Sequence, residues 1–305
     1  MLTGDVVNIG IVGGGAVGLL FGAYFSYYHN VSIFAKTQKQ ARVLNNHGIT
    51  LLREHTNNRC NVIGYGEYDN LANQDFIIVA VKQYDLESLE DVIKKIPKHI
   101  PILFIQNGMG HLQLLDALPH TSIYVGTVEH GVLRIDYETI RHTGIGKTNI
   151  AVYRGLEQDF EKFPAMNDPF FPIQFQSNYI HMLNSKLIAN ALINPLTAIY
   201  QVPNGRIIEN PYYYETFLRL FNEIFPLFPE MDQNDVLQEV VGICKKTEHN
   251  TSSMLKDLKE GRRTEIDAIL GYIIDEGNKK GQALPFTKII FKMIKGKELE
   301  GGLSE

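Results

Sequence analysis

The segment "NIGIVGGGAVGLLFGAYF" constrains the fold more than any other, because a short apolar run ends on a glycine cluster and passes directly into a helical pattern. Gly13, Gly15 and Gly18 fit G-x-G-x-x-G, with Ala16 and Val17 inside the motif. The first glycine permits a tight turn, the second lets backbone approach a pyrophosphate, and the third lets helix and strand lie close together. An anion would rest on the unpaired N–H groups of the helix N-terminus, where the helix dipole favours negative charge. Glycine-rich turns also arise for purely structural reasons, so context decides. Here a strand precedes and a helix follows. The next strand, "NVSIFAK", ends about 20 residues on, where a dinucleotide site needs its ribose-reading residue.

Further apolar runs follow at "DFIIVAVK", "IPILFIQNG" and "SIYVGTVEHG", with helix-like material such as "DLESLEDVIKKI" between several of them. Strands alternating with helices predict a parallel sheet covered on both faces. From about residue 180 the pattern becomes helical, as in "IHMLNSKLIANALI", "YYYETFLRLFNEIF", "NDVLQEVVGICKKTE", "TSSMLKDLKE" and "EIDAILGYIIDEGNKKG". The expected organisation is α/β: a Rossmann-type, doubly wound, mostly parallel sheet over 1–177 and an all-helical domain over 178–305. A length of 305 residues suits two domains. The terminal "KELEGGLSE" is predicted to fray.

Charge and cysteine content narrow the partners. A formal net charge of −5 and no block of basic residues argue against nucleic acid, so a small soluble molecule is the expected partner. Cys60 and Cys244 match neither a redox pair nor a zinc spacing, which fits reduced thiols in the cytosol. No export signal or membrane-spanning apolar run is visible.

The ribose-reading position carries "FAKTQKQ", with Lys36, Thr37 and Lys39 and no carboxylate. A cation and a hydroxyl suit a 2′-phosphate, whereas an acid would repel it, so NADPH/NADP+ is favoured. The alternative is that Lys36 sits in a solvated loop. Three other strand ends carry polar residues: Lys82 and Gln83, Asn107 and Gly108, Glu129 and His130. Each alone is a common turn former; together they describe the rim of a ligand crevice.

One helix is apolar except for a stripe. Residues four and eight apart drift only about 40° and 80°, so Lys186, Asn190 and Asn194 share one face. A buried ammonium is costly without a partner, unless the lysine snorkels to water. Pro195 is expected to kink or end this helix.

"SKLIANALINPLTAIYQVPNG", with "GGGAVG", "VKQYD", "IQNGMG" and "TSSMLKDLKEGRRTEID", closely resembles the ketopantoate reductase (2-dehydropantoate 2-reductase) family, from the first strand to about residue 297. The resemblance implies NADPH-dependent reduction of 2-dehydropantoate in pantothenate synthesis, in an interdomain cleft, by a monomer or homodimer. It makes Lys186 catalytic, and Asn107, Asn190, Asn194, Asn204, Ser253 and Glu265 substrate-binding. It places Lys82 near the cofactor phosphates, beside Gln83, Asn107 and Glu265 on the cofactor side. Lys36 stands where an arginine is often found, losing the bidentate fork. His130 follows Glu129, where the family often has threonine.

The chemistry points the same way. Ketone reduction needs a proton delivered to oxygen as alkoxide charge develops, and a lysine, with an unperturbed pKa near 10.4, is protonated at neutral pH. "RRTEID" reads as a helix start with Thr264 as N-cap, where the dipole favours ionised Glu265. Arg262 and Arg263 are candidates to lower its pKa further, or face water. Ser253 is either a carboxylate ligand or an ordinary N-cap. Two rivals stay open: a reductase of another branched 2-oxo or 2-hydroxy acid, and an NADPH sensor without chemistry.

Overall fold

The computed structural model describes residues 5–54, 56–156 and 163–302. The chain forms two compact units: Met1–Gln106 with His111–Met182, and Asn107–Gly110 with Leu183–Glu305. The "QNGMG" turn therefore divides after Gln106, and its next four residues pack with the helical unit.

In chain order the first unit runs β1 (Asn8–Val12), α1 (Ala16–Phe25), β2 (Asn30–Phe34), α2 (Gln38–His47), β3 (Ile49–Arg53), β4 (Thr56–Cys60) and β5 (Ile63–Tyr65). It continues with β6 (Phe76–Val79), α3 (Gln83–Leu86), α4 (Glu90–Lys94), β7 (Ile102–Phe104), α5 (Leu112–Ala117) and β8 (Ile123–Val128). It closes with β9 (Gly131–Arg134), β10 (Thr139–Gly144), β11 (Thr148–Arg154) and β12 (Ile173–Gln176). The main sheet has the order β12-β11-β8-β7-β6-β1-β2-β5. From β5 to β8 all pairings are parallel. Chain order reverses at β1, flanked by β2 and β6, which is the switch point of a doubly wound dinucleotide fold. Beyond it β11 runs antiparallel to β8, and β12 parallel to β11.

Over the helical cover of one face the chain adds a further layer. A second sheet, β4-β3-β10-β9, lies over α1, which packs against β1 and β2 and also against β3, β4, β9 and β10. This explains why α1 is apolar around its whole circumference: Leu19, Leu20, Phe21, Ala23, Tyr24 and Phe25 are all fully buried. Phe171 closes this core, stacked on Tyr24 at 4.8 Å and edge-on to Phe21 at 4.9 Å. "DLESLEDVIKKI" is also not one helix, since a 3₁₀ turn at Glu87–Leu89 separates α3 from α4.

A polar thread crosses the same core. Tyr24 O–H lies 2.8 Å from His142 Nδ1, and His142 Nε2 lies 3.2 Å from His130 Nδ1. Gly146 N–H donates to that same His130 Nδ1. Because Nδ1 of His130 must accept, His130 is neutral and His142 turns its Nε2–H towards it. Burial, then the neighbouring His142, holds His130 down at about 4, and burial lowers His142 too. Burial likewise lowers His29 and His120, and takes His111 to about 4. Groups whose folded pKa is depressed bind protons preferentially in the unfolded chain, so stability rises with pH through this window. Acidification from about pH 6.5 towards 4 should therefore destabilise the fold, by on the order of 3 kcal/mol for His130 alone. Denaturant midpoints measured across this range check it; a flat profile would contradict the neutral assignment.

The second unit contains α6 (Tyr179–Tyr200), α7 (Arg206–Glu209), α8 (Pro211–Ile224), α9 (Gln233–Lys246) and α10 (Ser253–Lys259). A π-helical turn, Asp267–Gly271, then leads into α11 (Tyr272–Lys279), and α12 (Pro285–Glu300) follows. The first four residues of α6 group with the first unit. Pro195 does not end α6. The helix continues to Tyr200, where Gln201 turns left-handed at φ 57° and Val202 N–H bonds Thr197 O at 3.2 Å, a Schellman closure. Nor does the tail fray at "KELE", because α12 runs to Glu300 and Glu298 is buried; residues 303–305 lie outside the described residues. Buried Glu298 accepts from Thr264 N–H and Oγ1–H, both at 2.7 Å. Glu223 similarly accepts from the N–H groups of Phe286 and Thr287 at the start of α12. Among the described residues, no helix is long and apolar enough to cross a membrane.

Candidate active site

The first unit carries a glycine turn whose geometry suits a dinucleotide. Gly13, at φ 115°, turns the chain out of β1, and its N–H bonds Phe34 O at the end of β2. Gly18 lies so close to the turn that a Cβ there would sit 1.9 Å from Gly13 O. Gly15 is the opposite case: a Cβ there would meet nothing within 4 Å. It is the N-cap of α1 and brings no side-chain cap to the first-turn N–H groups at Ala16 and Val17. Gly14 O accepts from Gln40 Nε2 at 2.8 Å and from Arg134 Nη1 at 3.0 Å, which fixes the turn from behind. An open cradle at Gly15 with uncapped helix donors fits a pyrophosphate.

Lys36 leaves β2 with its side chain 85% exposed and pairs with Asp85 at 3.1 Å. Thr37 Oγ1 caps α2 by accepting from Gln40 N–H, which leaves its own proton to donate. Lys39 lies over the Tyr137 ring. Lys82 is the N-cap residue of α3, its Nζ 5.8 Å from the Tyr84 ring centroid, and Gln83 opens that helix. Gln83 Oε1 is buried without a hydrogen-bond partner among the described residues, an acceptor left for a ligand. Gln106, which carried no expected role, donates to Val79 O and Val81 O and so ties the ends of β6 and β7 together.

In the third pair of strand-end residues, His130 turns inward instead of lining a crevice. His130 is buried, stacked on Phe171 at 4.5 Å, and belongs to the polar thread under α1. Exposed Glu129 accepts from Asn149 Nδ2 at 2.9 Å, which gives it a structural partner.

The second unit carries the remaining residues. Lys186 and Asn190 are half-buried on α6, and Asn194 is buried. Asn107 Nδ2 donates to Glu265 Oε2 at 2.8 Å, joining "QNG" to the segment that leads into the π-helical turn. Gly108 makes this approach possible: its φ is +80°, and a Cβ would sit 2.2 Å from Ala268 O. Glycine is required there on both counts. Thr264 Oγ1 accepts from Ile266 N–H, a capping bond at the helix start that contains Glu265. Arg262 pairs with Asp257 and Glu260, and Arg263 reaches Asp267.

Ser253 is not the N-cap of α10. Buried Ser252 holds that place, accepting from Leu255 N–H, and leaves Ser253 exposed in the first turn. Asn204 is buried; its Nδ2 donates to Thr247 Oγ1 at 2.9 Å, while its Oδ1 has no hydrogen-bond partner among the described residues. The sequence gives no sign of the Ser252 and Thr197 pairing or of Gln106's brace, because both depend on which segments meet in space.

Sequence comparison gives this arrangement a family. Residues 9–155 match the profile described as ketopantoate reductase PanE/ApbA, and residues 178–298 match its C-terminal counterpart. A 2-dehydropantoate 2-reductase of Listeria innocua is 38% identical over 297 residues, covering 96% of this chain and 98% of its own. The crystal structure of a probable 2-dehydropantoate 2-reductase from Bacillus subtilis superposes with a TM-score of 0.87 at 34% identity, covering 95% of this chain and all of that one. At 19% identity, D-mandelate dehydrogenase, solved with NADH and anilino(oxo)acetate, shares the fold with a TM-score of 0.85 over 97% of this chain and all of its own. On two family matches that together span most of its length, the chain belongs to the ketopantoate reductase PanE/ApbA family.

Proposed function

We propose that this chain reduces 2-dehydropantoate to pantoate with NADPH, using Lys186 as the proton donor. The observation that carries the assignment of roles is the 2.8 Å bond from Asn107 Nδ2 to Glu265 Oε2. An amide N–H can only donate, so that carboxylate oxygen accepts, as an ionised glutamate does. At a helix start, where the dipole favours its charged form, a glutamate held this way is better suited to accepting a hydrogen bond from a substrate hydroxyl than to giving a proton. Lys186, on the polar stripe of α6, is then the acid.

The balance is 2-dehydropantoate + NADPH + H⁺ → pantoate + NADP⁺. Bound on the glycine turn, NADPH would supply the hydride that reaches the carbonyl carbon. Lys186 Nζ stabilises the developing oxyanion and passes it a proton, and the neutral amine is reprotonated from water. Asn190, Asn194, Asn204 and Ser253 orient the oxo acid through its oxygens. Free, buried Cys60 and Cys244 suit a reducing compartment, in keeping with action in the cytoplasm.

A panel of 2-oxo acids assayed with both nicotinamide cofactors tests the substrate. The expected result is the highest kcat/KM for 2-dehydropantoate with NADPH. Faster turnover of another 2-oxo acid would transfer the assignment to the first rival. Cofactor binding without any turnover would favour a sensor.

On this reading Lys36, an exposed cation just after β2, reads the 2′-phosphate. Lys36→Ala should lower the NADPH-over-NADH ratio of kcat/KM by about tenfold, the size of one partly exposed charge-assisted contact. An unchanged ratio would return Lys36 to the solvated-loop alternative.

A further inference from the structure

We propose that the buried hydroxyls of Thr197 and Ser252 form a positioning pair that fixes Ser253 relative to Asn194 and thereby sets affinity for the oxo acid; this rests on the substrate-binding reading of those two residues. Thr197 is fully buried on α6, and Ser252 is the buried N-cap of α10. Their oxygens lie 2.7 Å apart, across 55 residues of chain. Thr197 Oγ1 also lies 2.8 Å from Ile193 O and 3.0 Å from Asn194 O.

Counting protons sets the direction of this chain. Each hydroxyl has one. The carbonyls of Ile193 and Asn194 can only accept, so the proton of Thr197 goes to them. Leu255 N–H can only donate, and Ser252 Oγ accepts it at 3.2 Å. The proton left for the 2.7 Å contact belongs to Ser252. The sequence Leu255 N–H, Ser252 O–H, Thr197 O–H and the carbonyls of Ile193 and Asn194 satisfies every member in one arrangement.

The location gives the pair its role. Pro195 has no N–H, so Ala191 O loses its helical donor just where Asn194 must hold its side chain. The threonine hydroxyl braces the two carbonyls immediately before that proline. The same hydroxyl receives the cap of α10, whose first residue is Ser253. A threonine that only satisfied itself would need its own helix and nothing else.

Thr197→Val keeps the shape and removes the hydroxyl. It should raise KM for 2-dehydropantoate about tenfold while the KM for NADPH stays within about twofold, and Thr197→Ser should restore the wild-type value. Ser252→Gly, which costs little as a cap, should raise the same KM, and the double variant should be no worse than the more affected single one. Should Thr197→Val fold poorly, Ser252→Gly alone carries the comparison. A fall in Tm with both KM values unchanged, or with both raised equally, would overturn the positioning role and leave a structural bond. Ser253→Ala separates the two levels. If it leaves the oxo-acid KM unchanged, the substrate reading of Ser253 fails; if it raises KM and Thr197→Val does not, only the pair's role fails.

Discussion

Lys186→Ala should reduce kcat for 2-dehydropantoate by about 10²- to 10⁴-fold, the range lost when a positioned acid is removed, while the Kd for NADPH changes little. The expectation follows from where the charge sits. Lys186 is half-buried on a helix whose neighbouring positions Leu187 and Ile188 are buried. On the proposed reading this partial burial would put its ammonium in a medium less polar than water, where its effect on a developing oxyanion is larger. On the same reading Glu265 is the poorer donor, since Asn107 engages its Oε2 as an acceptor and the helix start favours its charged form. Equal losses in kcat and in NADPH binding would mean that Lys186 supports the fold or the cofactor instead. A kcat within threefold of wild type would remove it from the mechanism.

Gly18→Ala should weaken NADPH binding by about 100-fold or more and lower Tm by several degrees, as a forced backbone shift of a few kcal/mol does. The new Cβ would stand 1.9 Å from Gly13 O, so either α1 or the turn must move. α1 has little freedom to move, because one side lies on β1 and β2 and the other on the second sheet. Gly15→Ala is the informative contrast. Its Cβ meets no protein atom within 4 Å, so the chain should fold normally and lose cofactor affinity alone. Wild-type NADPH affinity in Gly15→Ala would show that the pyrophosphate does not rest on this turn.

The contrast between α1 and the second sheet shows what could be read along the chain. The glycine spacing and the following apolar helix are local, and the switch point follows from short apolar strands in the expected order. The second sheet was hidden because the inward positions of its strands are partly polar. In "TIRHTG" the buried alternation falls on Ile140 and His142, and hydropathy registers only the first. β4, "TNNRC", buries only Cys60. The same limit applies at the site. The stripe of Lys186, Asn190 and Asn194 is a property of one helix and was legible. Whether Ser252 or Ser253 caps α10 depends on a hydroxyl from another helix, and two adjacent serines look alike in sequence. His130 was misplaced for a similar reason: a polar residue after a strand can line a crevice or stack inward on an aromatic ring, and Phe171, which decides the matter, is distant in the chain.

The most direct test of the central claim is the fate of hydrogen from the cofactor. With 2-dehydropantoate and NADPH carrying deuterium at both C4 positions of the nicotinamide, mass spectrometry of the product should find one deuterium at C2 of pantoate for each NADP⁺ formed. Pantoate without the label, or NADPH bound and never oxidised in the presence of 2-dehydropantoate, would contradict it.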